Sequence, residues 1–157
     1  CRIPHESVDP TLKHYHWLDF EMGLLEAFDR GGDTVVLVDR NGHITEGPGF
    51  NLFFVKDGKV STPVSGVLNG MTRRTVLELC AEVDVLCEPE SILATQLVNS
   101  DEVFLSSTAG GVIPITTVDN KVVGDGVPGP ITQQLRSLYW EKRESGWHGT
   151  RVKAPSK

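Results

Sequence analysis

The sequence predicts an α+β domain, built on a mixed, largely antiparallel and barrel-like sheet with flanking helices. Strands joined by hairpins, with helices inserted between groups of strands, predict this class. Asn41-Gly42 joins an apolar run at 34–39 to a return strand at 43–45. Asp57-Gly58 joins the runs 52–55 and 59–62 in the same way. With 157 residues, the chain is long enough for one such domain with a real core.

The other elements follow from apolar spacing and turn residues. Residues 17–30 are predicted to be helical up to Gly31-Gly32, with an apolar face of Leu18, Leu24, Leu25 and Phe28. The run 34–39 is almost wholly apolar, which predicts a strand buried on both of its faces. The remaining predicted elements are helices at 72–83 and from 131, strands at 85–87 and 103–105, a helical piece at 90–95, and a hairpin of 113–118 with 121–123.

Composition excludes several classes of function. A formal net charge of -6 argues against a nucleic-acid or anionic-membrane surface, because those surfaces need a basic face. No run approaches the roughly 20 apolar residues of a membrane-spanning helix. The three cysteines are too few for a disulfide framework, which predicts reduced thiols and a cytoplasmic location. His14 and His16 have no third ligand nearby, so no metal is predicted.

Two segments are candidates for binding a phosphate. Gly70 opens a helix whose first N–H groups are free, and Thr72 adds a hydroxyl there. Taken alone, Thr72 is explained more simply as an ordinary N-cap. The segment 106–111, Ser-Ser-Thr-Ala-Gly-Gly, is small enough to bring main-chain N–H groups to the same phosphate. It could also be no more than a flexible turn.

Glu46 and Lys13 are the candidates for chemistry on a pyridine aldehyde. A carboxylate beside a pyridine nitrogen favours the protonated ring, which is an electron sink. Glu46 begins the turn 46–51, where Asn51 can brace it, although a solvated strand end is the alternative.

The Lys13 amine would become nucleophilic if Tyr15, Trp17 and Leu18 removed it from water. Otherwise Lys13 is a surface lysine. An amine, a carboxylate and a phosphate-binding site are together the groups needed to bind pyridoxal 5'-phosphate and use it in catalysis.

Four segments resemble the class IV, fold-type IV pyridoxal-phosphate aminotransferases. They are Val-Asp-Pro-Thr-Leu-Lys at 8–13, Thr-Glu-Gly-Pro-Gly-Phe-Asn at 45–51, Gly-Val-Leu-Asn-Gly-Met-Thr-Arg at 66–73 and Ser-Thr-Ala-Gly-Gly-Val-Ile-Pro at 107–114. The resemblance implies transamination between an amine or amino acid and a 2-keto acid, through a Schiff base on Lys13. With the arguments above, the expected cofactor contacts are Glu46, Asn51, Leu68, Gly70, Met71, Thr72 and Thr108. The expected substrate-side residues are Phe50, Ala109 and Gly110.

The residue at position 50 is an indication of which amino donor the protein uses. The family includes branched-chain and D-amino acid aminotransferases, (R)-selective amine transaminases and a lyase acting on aminodeoxychorismate. The Gly-Phe-Asn turn is most similar to the (R)-amine version, whereas branched-chain enzymes usually carry an acid at this position. The expected donor is therefore an (R)-amine or a branched-chain amino acid. The alternatives are a lyase of the same fold and a non-catalytic fragment.

The resemblance also implies a domain organisation. Residues 1–146 correspond to the larger, cofactor-binding domain, and 147–157 to a polar, loose tail. A smaller N-terminal domain, which supplies a phosphate-binding arginine and dimer contacts in the family, is absent before Lys13. The start at Cys1 without methionine predicts a fragment or processed product of a longer polypeptide. The resemblance implies that the protein is a homodimer.

Overall fold

The structure is a computed structural model, and it describes residues 1–152. Its helices are α1 (Leu18–Asp29), α2 (Met71–Glu82), α3 (Ala94–Leu97) and α4 (Pro130–Glu144). Its strands are β1 (Asn51–Lys56), β2 (Lys59–Pro63), β3 (Cys87–Glu90), β4 (Glu102–Ser107), β5 (Gly111–Ile115), β6 (Thr117–Val118) and β7 (Lys121–Val122).

Five strands form one sheet in the order β3-β2-β1-β4-β5. All neighbours in it are antiparallel except β2 and β3, which are parallel. The strands β6 and β7 form a separate small hairpin. The predicted α+β class with a largely antiparallel sheet is therefore confirmed. Within residues 1–152 the sheet is open, with β3 and β5 at its edges.

The core lies on both faces of the central strands. Phe53 of β1 stacks on its register partner Phe104 of β4, with ring centroids 4.9 Å apart. Helices α2 and α4 cover this face. Leu52 and Phe54 point to the opposite face, where Ile92 and other apolar side chains of the loops cover them. Because β1 is buried on both sides, it forms a rigid base for the turn that precedes it.

The apolar run 34–39 does not form the predicted strand, and the expectation of burial on both faces is wrong. Only Leu37 is fully buried in it, and Val38 makes an isolated bridge to Ile44. The Asn41-Gly42 turn is present, with Gly42 at φ 82°. The run makes only scattered backbone bonds, with residues 43–46 on one side and with the Arg2 N–H on the other, and it lies outside the five-stranded sheet. Its β-branched composition alone was not enough to make it a strand.

The strand predicted at 85–87 instead begins at its last residue, Cys87. The Val85 N–H is still bonded to the Cys80 carbonyl at the end of α2, at 2.9 Å. The helix end therefore uses the first residues of the predicted strand.

The helix α1 is present, but its apolar face is not part of the core. Leu18, Leu25 and Phe28 are 64%, 59% and 56% exposed, and only Phe20 is buried. None of the helices in residues 1–152 has the length and hydrophobicity needed to cross a bilayer.

The chain does not become loose directly after Gly146. Trp147 packs against the core beneath α2 and α4, and His148 Nε2 lies 2.8 Å from Glu78 Oε2. The predicted loose tail is therefore wrong for these two residues. Residues 153–157 of the predicted tail lie outside the described residues.

Candidate active site

One cavity opens where β1 begins, where β4 ends and where α2 starts. Eight of the eleven predicted site residues line it: Lys13, Glu46, Phe50, Asn51, Leu68, Gly70, Thr72 and Thr108. The structure thus brings the amine, the acid and both phosphate candidates to one place. Met71, Ala109 and Gly110 do not line it. The Met71 side chain is 71% exposed, and the roles of these three residues stay predictions.

Glu46 is buried and its carboxylate accepts three hydrogen bonds, so it is not a solvated strand end. Its Oε2 accepts hydrogen bonds from the Leu68 N–H at 2.9 Å and from Asn51 Nδ2 at 3.2 Å. Its Oε1 accepts one from Arg2 Nη2 at 3.2 Å. Because a carboxylate has about four acceptor directions, one remains for a ligand. Burial raises the pKa of Glu46, while the Leu68 amide and the Arg2 guanidinium act in the opposite direction.

The turn 46–51 fixes where this acid lies. Gly47 and Phe50 exchange backbone hydrogen bonds of 3.2 and 3.3 Å. A side chain at Gly47 would collide with the Phe50 ring, so the close approach requires glycine. The Asn51 side chain then bonds both Glu46 and the Leu68 carbonyl, which ties the turn to the segment before α2.

Arg2 is a site residue that sequence reasoning missed. Its Nη1 donates to Asp19 Oδ2 at 3.0 Å, and its Nη2 donates to Glu46. Its guanidinium carbon lies 4.2 Å from the centre of the Phe20 ring. Arg2 and Glu46 are 44 residues apart, and no local pattern relates them. Only the folded chain brings them together.

The start of α2 is open to an anion. Its N-cap is Gly70 in extended conformation, with no side-chain cap, and Thr72 is the second helical residue. Thr72 is therefore not the N-cap. In the described part of the chain, neither its hydroxyl nor the first amides of α2 have a hydrogen-bond partner. The buried guanidinium of Arg73 behind this turn, bonded to Thr62 and Pro63, adds positive charge.

The segment 106–111 spans the end of β4, a turn at 108–110 and the first residue of β5. The Gly110 N–H donates to Ser107 Oγ at 3.0 Å, and Gly111 takes φ 64°. Thr108 and Ser106 line the cavity. Ser106 belongs to the predicted segment 106–111 but was not itself predicted as a site residue. Its buried Oγ has no hydrogen-bond partner among residues 1–152. An unpaired buried hydroxyl and free helix amides fit a site that accepts a polar ligand.

Lys13 lies on the wall of the same cavity and is exposed. Among residues 1–152 it makes no ion pair and no hydrogen bond through its side chain. The expected shielding by Tyr15, Trp17 and Leu18 is wrong. Tyr15 is fully exposed and Leu18 is 64% exposed, because no described element covers this segment. Of the three, only Trp17 borders the cavity.

Residues 1–152 contain no group of three His, Cys, Asp or Glu side chains that could hold a metal ion. The three cysteines are free, and Cys80 on α2 is buried.

Comparison with known proteins adds independent evidence. The sequence model of the family described as Amino-transferase class IV matches residues 1–118. A branched-chain-amino-acid aminotransferase of Pseudomonas aeruginosa is 36% identical over 126 residues, which are 80% of this chain and 41% of that protein. A D-alanine aminotransferase of Bacillus licheniformis is 40% identical over 100 residues, which are 62% of this chain and 35% of that protein.

Solved structures agree with these sequence matches. The PLP form of the branched-chain amino acid aminotransferase from Thermobaculum terrenum has a TM-score of 0.85 at 35% identity, covering 89% of this chain and 47% of that one. The branched-chain aminotransferase of Thermoproteus uzoniensis with norvaline has a TM-score of 0.84 at 31% identity, with the same coverages. The chain spans less than half of each relative's own length. The resemblance inferred from the four motifs is confirmed, and the chain belongs to the class IV aminotransferases.

Proposed function

We propose that this chain is the cofactor-binding part of a pyridoxal-phosphate-dependent aminotransferase. The observation that supports it is the single cavity that holds an amine, a buried carboxylate and an uncapped helix start. These groups lie in three separate stretches of sequence, and a cofactor with an aldehyde, a ring nitrogen and a phosphate would use all three.

Each end of the cofactor has a candidate partner. The free amides at the start of α2, with the Thr72 and Thr108 side chains, would hold the phosphate. Glu46 would accept a hydrogen bond from the protonated ring nitrogen through its remaining acceptor direction. Leu68 would pack under the ring. The Met71 side chain is exposed, so Met71 would contribute to the phosphate site only through its backbone N–H, which is the first of α2.

Lys13 would perform the covalent and proton-transfer work. When bound, pyridoxal phosphate supplies an electron sink that stabilises negative charge on the donor's α-carbon. Lys13 Nζ would condense with the aldehyde carbon, with the aldehyde oxygen leaving as water. Once the donor amine has replaced it on that carbon, the free Nζ would move the proton. Ala109 and Gly110 would border the substrate side of the cavity.

We propose an apolar amino donor, either a branched-chain amino acid or an (R)-amine. Phe50 supports this, because it is an apolar residue of the cavity lining and belongs to the same turn as Glu46. Relatives named as branched-chain and D-alanine aminotransferases favour amino transfer to a 2-keto acid over a lyase reaction.

We further propose that residues 1–146 act as the larger domain of a longer, cytoplasmic protein. A homodimer is proposed for the same protein. Its support is the exposed apolar face of α1, which continues towards Lys13 through Leu12 and Tyr15.

The test is uptake of pyridoxal phosphate followed by visible absorption. The wild-type chain is expected to gain a visible band that Lys13→Ala lacks and that Lys121→Ala, an exposed lysine on β7, retains. Loss of the band on adding branched-chain amino acids, D-alanine or (R)- and (S)-amines would then identify the donor. A wild-type chain that binds the cofactor without this band, or that shows the same band in Lys13→Ala, would contradict the proposal.

A further inference from the structure

We propose that Arg2 and Asp19 are positioning residues, which hold the Glu46 carboxylate and make the site select a ligand with a protonated ring nitrogen. This inference rests on the proposed function. Neither residue would touch the reacting atoms, so both would act through Glu46.

The geometry holds Arg2 in one orientation. Its backbone N–H donates to the Val38 carbonyl at 2.8 Å, and its guanidinium lies over the Phe20 ring. The two ends of the guanidinium fork reach different carboxylates, Asp19 at 3.0 Å and Glu46 at 3.2 Å. A planar fork with both ends engaged cannot rotate without losing a bond, so Glu46 Oε1 is fixed as well.

Asp19 is held just as firmly. Its Oδ2 also accepts the Ile3 N–H at 3.0 Å, and its Oδ1 accepts the Phe20 N–H at 3.0 Å. The Asp19, Arg2 and Glu46 side chains are only 5%, 9% and 8% exposed. Water therefore screens their charges weakly, and the balance of charge within the cluster matters.

The cluster of Arg2, Asp19 and Glu46 has one positive charge fewer than it has negative charges. One guanidinium faces two carboxylates, which leaves a net charge of minus one when all three are ionised. The next cation near Glu46 is Arg73, and its donors are directed to Thr62 and Pro63. Lys13 and His14 line the cavity but make no ion pair with Glu46. A pyridinium N–H would supply the missing charge and fill the free acceptor direction of Glu46.

The first test changes the charge and leaves the shape. In Asp19→Asn the charges of the Arg2 guanidinium and the Glu46 carboxylate cancel. The cluster then has no net negative charge to favour the protonated ring nitrogen. The bound ring nitrogen should then lose its proton about one pH unit lower, a tenfold change in proton affinity. The readout is the ¹⁵N resonance of pyridoxal phosphate labelled at the ring nitrogen. Glu21→Gln, an exposed acid on the same helix, should leave this titration unchanged.

The second test separates positioning from folding. The probe is the carbocyclic analogue of pyridoxal phosphate, which has the phosphate and aldehyde but no ring nitrogen. Arg2→Lys keeps the charge but cannot bridge two carboxylates. It should weaken binding of pyridoxal phosphate roughly tenfold and leave binding of the analogue unchanged, which also reports that the variant is folded.

Two results would overturn the inference. One is an equal loss of affinity for both compounds in Arg2→Lys, and the other is an unchanged ¹⁵N titration in Asp19→Asn. A wild-type chain that binds neither compound would instead contradict the proposed function itself. A chain that binds both, with variants that behave like wild type, would contradict only the role of Arg2 and Asp19.

Discussion

The acid of the candidate site depends on groups that are distant in sequence. Glu46 is bonded by Arg2, Asn51 and Leu68, which come from three different segments. Its side chain was recognisable from the turn 46–51, and the Asn51 brace could be predicted because it is five residues away. The contacts of Arg2 and of the Leu68 N–H with Glu46 could not be predicted, since they depend on the tertiary structure that brings these segments together.

Glu46 should leave a signature in the pH dependence of stability. Burial raises its folded-state pKa above the ordinary value of 4.5. Between the unfolded and folded pKa values the folded state binds more protons, so Glu46 makes the protein less stable as the pH rises through that interval. The free energy of unfolding of wild type minus that of Glu46→Gln should therefore fall as the pH rises from below 4.5.

Urea denaturation of the ligand-free protein at a series of pH values measures this difference. Glu141→Gln, an exposed acid on α4, serves as the control and should give a difference that stays nearly constant. A Glu46 difference that grew with pH would mean that Arg2 and the Leu68 amide outweigh burial.

Asn51 should matter for stability as well as for the site. It is buried, and its amide joins Glu46 to the Leu68 carbonyl at 3.2 and 3.0 Å. Asn51→Ala leaves both acceptors short of a donor, which should cost about 1–3 kcal/mol in the free energy of unfolding. Asn99→Ala removes one exposed bond to the Thr95 carbonyl and should cost less than about 0.5 kcal/mol. Equal effects in urea titrations would refute the bracing role.

At the scale of elements, hairpins and amphipathic helices were predictable and isolated apolar runs were not. Asp57-Gly58 has the left-handed backbone that its turn requires, with φ 49° and 77°, and the strands on both sides follow. The run 34–39 has strand composition, but it makes one isolated bridge, Val38 to Ile44, and no continuous ladder on either side. Local propensity therefore predicted neither its strand assignment nor its burial.

The helix α4 shows a long-range cap that sequence reasoning did not foresee. The buried Glu102 of β4 accepts the Ile131 and Thr132 N–H groups at 3.1 and 2.7 Å. A side chain at Gly129 would collide with Glu102, so the close approach needs glycine there. The acid satisfies two amides at the positive end of the helix and joins α4 to the sheet.

Glu102→Ala should therefore lower the free energy of unfolding by about 1–3 kcal/mol, because two amides at a buried helix end lose their acceptor. Chemical denaturation followed by far-UV circular dichroism measures this loss. Glu141→Ala, exposed near the other end of α4, is the matched control and should change stability little. Similar losses in both variants would show that the cap contributes nothing specific.

At the scale of the whole molecule, sequence patterns identified the sheet, the cavity and the family, but not what surrounds Lys13. The expected shielding assumed that neighbouring aromatic residues fold over the lysine. In the structure Tyr15 projects away from the domain, and the apolar face of α1 beside it is uncovered. Shielding by a distant or separate segment leaves no mark on the local sequence.

The uncovered face of α1 yields the prediction at this scale. Leu18, Met22, Leu25 and Phe28 lie along one side of the helix, and each is more than half exposed. An apolar stripe of this kind is typical of an interface. We expect it to pair with the same stripe of a second copy, since one helix face that meets itself about a two-fold axis closes the assembly.

Leu25→Glu places a charge at the middle of the stripe and should convert a dimer to a monomer, because an unpaired carboxylate would be buried in the interface. Leu86→Glu adds the same charge at an apolar residue that is 57% exposed but lies away from α1, and it should leave the dimer intact. Analytical ultracentrifugation over a range of concentrations measures both. A wild-type chain that stays monomeric would contradict pairing through α1. The apolar stripe would then be covered by another segment of a longer protein. Dissociation by both variants would place the interface elsewhere.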